Sequence, residues 1–350
     1  MSKLISITHK MYMNSVNESV CGPLTVFRRS AMASDFEVFL NAQQSDNQAE
    51  IAILALDEID RIEDILSIFR PTSLLSRINF LAAEMIIPLE SEVFQWFQQS
   101  RELWEKTGGA FDLTCTPLWK VWGFAKRQGK LPQDDELKKA LSLVGMNHVI
   151  LDESSSTIAF DQEGIEINFG GIGKGIALDQ AAMIFEANQV SDFMIHGGKS
   201  SIIAHGSRSG DMFIRNHEKI PCWTVGVMNP LLPNVRLAEL YLVDQAVGTS
   251  GSMQQFFRHK GKKWAHIIDP KTGIPVNGIL STTVMAPTAA EADALSTAFF
   301  IFGPEKAKRF CEKNPEYSAL FIMETTQSPH YEIVPVNMEN WNLVETEADD

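Results

Sequence analysis

The chain has 350 residues and a formal net charge of −14, with 45% apolar and 21% charged residues, the balance of a globular protein of one large or two ordinary domains. No cluster of Lys and Arg offsets the negative charge. That argues against duplex nucleic acid and leaves any phosphate ligand to be held locally by backbone amides, a lysine or a metal.

Residues 1–23 are polar and aperiodic and are expected to form a loose arm. They hold no apolar stretch of signal-peptide length, and Cys21 follows "NESV", too polar for a lipoprotein attachment site. No run of about 18 apolar residues occurs anywhere, so no spanning helix is expected and the location is read as cytoplasmic. "LTVFRR" and "DFEVFLNA" have strand character, with Phe36, Val38 and Leu40 alternating with polar neighbours. Helical spacing follows in "AEIAILALDEIDRIEDILSIF", where Leu54, Ile59, Ile62 and Leu66 recur and Pro71 follows. "SEVFQWFQQSRELWEKTGG" predicts a second helix with Ser91 as cap and Gly108 as stop, and "DDELKKALSLVG" a third ending at Gly145.

From about residue 147 the pattern turns to strands. "HVIL" and "TIAF" flank "DESSS" as a hairpin, and Ile165, Ile167 and Phe169 alternate in "GIEINF". After a glycine-rich loop, Ile176 to Ala187 is helical. Strands are expected near 200–204, 212–215, 223–228, 236–243, 264–269 and 280–286. "EADALSTAFFIFG" and "EKAKRFCEKN" are helical in character, "YSALFIM" forms a late strand, and the tail over 336–350 is acidic. Helices lead and strands follow, mostly without βαβ alternation, which favours an α+β domain over 24–335. Cys21, Cys115, Cys222 and Cys311 have no paired spacing and are expected as reduced thiols.

Five stretches can carry chemistry. "NFGGIGKGIALD" places strand, glycines and helix in succession, which suits a phosphate on free N–H groups with Lys174 as a point charge, or only a tight corner. It has neither the Walker A spacing nor GxGxxG. Asp293 and Thr297 stand at i and i+4 on one predicted helix, hard oxygens suited to magnesium or simply a solvated pair. His266 closes a strand before the turn "DPKTG", as a general base or a structural donor. "GGAFDLTCTPLWKVWGF" sets Asp112 in a glycine-opened loop before Trp119, Trp122 and Phe124, which form either core or the wall of a ligand site. "VGTSGS" is a small-residue loop that a ligand can approach.

Taken in order, "AMAS", "SIFRPTSLLSRIN", "GGAFDLT" with "LWKVWGF", "GGIGKGIALD", "GTSGS", "HIIDPKTG" and "ADALSTA" resemble the motifs of the ApbE-like FAD:protein FMN transferases. The resemblance runs from about residue 24 to 324. It implies an α+β flavin-transferase fold, mixed sheets with packed helices around a T-fold-like core. It also implies magnesium, FAD as substrate, and transfer of FMN to a Thr or Ser hydroxyl of a target flavoprotein with release of AMP. By matched position, Asp293, Thr297 and the Gly171 carbonyl would bind the metal. Lys174 would lie beside the pyrophosphate and His266 beside the reacting phosphate, the two catalytic candidates. Met32, Phe69, Ala110, Phe111, Asp112, Asn168 and Ile268 would contact FAD. Lys199 stands where the family often has Asp, Asn168 where Asp is frequent, Ser34 where Thr is frequent and Gly173 where Ala is frequent. The missing lipoprotein signal departs from the periplasmic placement common in the family. An FAD pyrophosphatase, with water as nucleophile, and a non-catalytic FAD-binding protein are the alternatives.

Overall fold

Alternating apolar positions build one nine-stranded antiparallel sheet whose spatial order follows the chain. Its strands are β1 (Ser6–Lys10), β2 (Leu24–Ala31), β3 (Ser34–Asn41), β4 (Phe193–Gly197), β5 (Ser201–His205), β6 (Gln245–Gly251), β7 (Ile279–Ala286), β8 (Ser318–Glu324) and β9 (Tyr331–Val336). The structure, a computed structural model, describes residues 6–10, 21–42, 47–253, 255–328 and 330–344.

Apart from Trp341–Leu343, which follows β9, the other described elements are inserted between consecutive strands of this meander. Between β3 and β4 lie α1 (Gln48–Leu66), α2 (Leu74–Leu81), α3 (Ser91–Lys106), α4 (Thr116–Val121), α5 (Asp134–Leu141) and α6 (Gly173–Ala187). Between β7 and β8 lie α7 (Ala289–Phe302) and α8 (Pro304–Lys313). The β5–β6 insertion contributes Trp223–Met228 and Arg236–Leu242, which join Trp341–Leu343 in a three-stranded sheet.

Period two decides which face each residue covers. In β3, Phe36, Val38 and Leu40 enter the core shared with the helices, while Phe39 faces the three-stranded sheet. In β7, Ile279, Val284 and Ala286 take the helix side, and Leu280 and Met285 the other. All eight residues of β7 are buried, as expected of a central strand covered on both faces. α7 is apolar nearly all round and ten of its residues are buried, the mark of a helix with no solvent face.

Several sequence expectations change. Within the stretch expected as a loose arm, Ser6–Lys10 pairs with β2. In the acidic tail, Trp341–Leu343 pairs with Arg236–Leu242, while the rest of that tail from 345, like residues 1–5 and 11–20 of the arm, lies outside the described residues. α1 stops at Leu66, and Leu54 is 48% exposed, off its buried stripe. Ser91 is the first helical residue and not a cap, since Glu90 holds the cap position. "GIEINF" forms no strand. Ile165, Ile167 and Phe169 are buried as the alternation requires, but the Asn79 side chain takes the place of a neighbouring strand, accepting from Ile167 N–H and donating to its carbonyl, both at 2.8 Å. The four cysteines are unpaired thiols, three of them buried. Among the described residues no helix is long and apolar enough to cross a membrane.

Candidate active site

α7 is held by backbone contact. A Cβ on Gly175 in α6 would fall 2.2 Å from the Ala289 carbonyl oxygen, and one on Gly248 in β6 would fall 2.3 Å from that of Ala292. Only glycine allows either approach. This explains "VGTSGS": it is not a loop but most of β6, and its residues are small because α7 lies directly on it. Asp179 in α6 completes the clamp. Its two carboxylate oxygens accept the Ala289 and Ala290 N–H groups at 2.7 and 2.9 Å, capping the positive end of α7. Burial pushes the Asp179 carboxyl up to about 7 despite these donors.

So positioned, α7 brings Asp293 against the first turn of α6. That helix begins at Gly173, three residues before the expected start, which puts Lys174 in its first turn. Asp293 is buried; its Oδ1 accepts the Ser201 hydroxyl at 2.6 Å and its Oδ2 the Gly175 N–H at 2.8 Å. Burial raises its pKa, opposed by the Lys174 charge and the two donors. Lys174 Nζ donates to Ser200 Oγ at 2.7 Å. One helical turn beyond Asp293, Thr297 Oγ1 lies 3.0 Å from Ser250 Oγ, which lies 2.8 Å from Ser296 Oγ. A Cβ on Gly171 would sit 3.6 Å from the Phe111 ring and 3.8 Å from Thr297 Oγ1.

These groups line one cleft of about 220 Å³. Ala110, Phe111, Asp112, Asn168, Gly171, Lys174, His266, Ile268, Asp293 and Thr297 all reach it. Met32 and Phe69 are not among its lining residues: Met32 turns the β2–β3 hairpin at φ 49° and Phe69 is 86% exposed. Asp112 spends its carboxylate on the loop, accepting Trp104 Nε1 and the Thr114 N–H at 2.8 Å each. Asn168 caps the short turn Phe169–Gly171 by accepting the Gly170 N–H at 2.8 Å. The tryptophans divide: Trp122 is core and donates to the Gly273 carbonyl at 2.7 Å, whereas Trp119 lines the cleft edge-on to His266.

His266 Nδ1 lies 3.1 Å from the Gln255 carbonyl oxygen. A carbonyl only accepts, so Nδ1 carries the proton and Nε2 keeps its lone pair. Burial holds the ring below the ordinary imidazole value of 6.5, so at neutral pH it is an uncharged base.

The donor set suits a hard cation. Asp293, Thr297, Ser250 and the Gly171 backbone supply oxygen only, and each Asp293 oxygen retains acceptor capacity beyond its one hydrogen bond. No group of three or more His, Cys, Asp or Glu that could hold a metal occurs among the described residues.

The model of the ApbE family matches residues 32–321. The chain belongs to the ApbE family. Among ApbE relatives, an FAD:protein FMN transferase of Treponema pallidum is 30% identical over 77% of this chain and 76% of its own. That of Escherichia coli K12 is 27% identical over 91% of each. The crystal structure of the ApbE protein of Thermotoga maritima, 26% identical, superposes with a TM-score of 0.77 over 89% of this chain and 97% of its own.

Sequence reasoning missed Ser200, Ser201, Ser250 and Asp179. Ser250 lay inside "VGTSGS" without a role of its own, Ser200 and Ser201 carry no local signal, and Asp179 looks like any polar residue of a helix. Lys199, the charge-reversed position, is exposed and turns the β4–β5 hairpin with Gly198, at φ 65° and 63°.

Proposed function

We propose that this ApbE-family protein is a magnesium-dependent FAD:protein FMN transferase acting on a Thr or Ser hydroxyl of a target flavoprotein. The observation that carries the proposal is the meeting, in one cleft, of the buried Asp293, Thr297 and Gly171 with Lys174 and His266. The names of the relatives, and their length match to this chain, support it. The four unpaired cysteines suit the cytoplasmic location included in the proposal.

Asp293, Thr297 and the Gly171 carbonyl would hold the metal. Bound there, magnesium neutralises the charge that builds on the phosphates of FAD. The chain's own residues do the rest. Lys174 adds a fixed positive charge at the α6 N-terminus, where Gly173 and Lys174 also present first-turn amides. His266 Nε2 takes the proton of the acceptor hydroxyl as its oxygen bonds to the FMN-side phosphorus. The bond from that phosphorus to the bridging oxygen breaks, and AMP leaves carrying that oxygen. Positioning supplies much of the rate, because a threonine hydroxyl is a poor nucleophile until held in line.

Incubation with FAD, magnesium and cell extract tests this. The expected result is AMP together with a protein band that keeps its flavin fluorescence after denaturation. AMP with free FMN and no labelled band would assign the cleft to hydrolysis, and unchanged FAD would assign it to binding alone.

A further inference from the structure

A second hollow, about 240 Å³, opens between the nine-stranded sheet and the three-stranded sheet. It shares Ser200, Thr249 and Gly251 with the catalytic cleft, so the two adjoin where β5 begins and β6 ends, on opposite faces of the sheet. Its floor is apolar, from Ile202, Val247 and Leu280. One wall is Trp223–Met228, which in the described sheets pairs only with Arg236–Leu242 and is therefore an edge strand. The register shows which backbone groups are free. Thr224 sends its N–H outward to Asp211 Oδ2 at 3.0 Å, so Gly226, two residues on, also aims its backbone groups away from the partner strand. Asp211 covers the edge at Thr224, while Val225 to Met228 line the hollow.

We infer that this groove docks the acceptor protein. An extended acceptor segment adds as a strand along the Gly226 edge, sets alternate apolar side chains over Ile202, Val247 and Leu280, and delivers its hydroxyl past Ser200 and Thr249 into the cleft. Strand addition supplies affinity through the main chain, and the floor pockets select alternate side chains. An unpaired edge over an apolar floor invites pairing, and this one leads to the Lys174–Ser200 pair. A protein substrate needs such a surface, because the cleft itself takes FAD. The inference rests on the transferase proposal above.

The reaction marks its own acceptor. Mass spectrometry of the flavin-labelled band gives the modified segment, which is then synthesised with Ala in place of the modified Thr or Ser as an unreactive probe. Addition of this peptide to the full-length enzyme is expected to slow amide exchange at 225–228. Met228→Asp and Met253→Asp, at exposed groove positions 44% and 38% accessible, are expected to raise the half-saturating peptide concentration about tenfold, which is about 1.4 kcal/mol, with FAD affinity unchanged. Peptide protection elsewhere while 225–228 exchanges freely would overturn the inference, as would both variants binding the peptide normally. A preparation that yields FMN and AMP but no labelled band would instead remove the transferase proposal, and this inference with it.

Discussion

Gly175 gives its backbone N–H to the Asp293 carboxylate across 2.8 Å, tying the first turn of α6 to the middle of α7. The same residue lets the two helices touch, since a Cβ there would fall 2.2 Å from the Ala289 oxygen. Gly175→Ala should therefore separate them. Overpacking of this kind costs about 1–3 kcal/mol, and a clash with backbone cannot be relieved by a rotamer change. A lowered melting temperature and lost FAD binding are expected. Gly171→Ala, whose Cβ would meet its neighbours at 3.6 and 3.8 Å, should melt near the parent. An equal loss in both variants would contradict the clamp.

Removal of divalent ions by chelation should stop transfer, and magnesium should restore it. Asp293→Asn keeps the side-chain shape but loses the charge, so the magnesium needed for half-maximal rate should rise at least about tenfold, a loss of about 1.4 kcal/mol in ion affinity. Thr297→Ala should raise it less, since a neutral hydroxyl is the weaker ligand. A magnesium titration of all three proteins decides this.

Ser201→Ala removes a hydroxyl donor from a buried carboxylate. A hydrogen bond to a charged group is worth about 1.5–3 kcal/mol, and its loss should push the Asp293 pKa further up. Reduced stability in denaturant unfolding is expected, together with weaker transfer at acid pH that higher pH partly restores. An unchanged pH profile would separate Ser201 from the titration of Asp293.

Burial holds the His266 ring below the ordinary imidazole value, so the rate should be level above neutral pH and fall on the acid side, where the ring gains its proton. His266→Asn should lower the rate by roughly 10²–10⁴-fold and abolish that acid limb. Full activity of the variant across pH 6–9 would leave the ring a structural donor.

Asp179 offers a stability test apart from turnover. Its carboxyl titrates at about 7 when folded and near about 3.9 when unfolded. Between these values the folded chain holds the extra proton, so stability from this residue is greatest below the lower pKa and declines as pH rises through the window. As pH rises from 4 to 7, the melting temperature of the parent should move downward relative to that of Asp179→Asn.

Much of the architecture was written in period and punctuation. Phe36, Val38 and Leu40 gave β3 its buried face, and the oxygen pair Asp293 and Thr297 stands where the helical spacing placed it. What could not be seen was tertiary contact. "VGTSG" shows a lack of side chains, and only the fold reveals that a helix fills the space. "GIEINF" alternates like a strand, yet its hydrogen bonds go to the single side chain of Asn79. Ser201 reaches Asp293 across 92 residues, a distance no local pattern spans. Short elements such as α2, α4 and β4 also left little trace, because five to eight residues hold too few turns or alternations to stand out. Phe69, matched by motif alone, lies on the surface, and motif similarity carries no statement about exposure.

The meander in chain order has a bearing on synthesis. A nascent chain completes β1 to β5 and the glycine loop well before α7 leaves the ribosome, so Lys174 and Ser201 wait for Asp293. Until that late helix docks, a partly made polypeptide lacks the one buried carboxylate of the cleft. The cleft is therefore assembled only when the chain is nearly finished, from pieces made far apart in time.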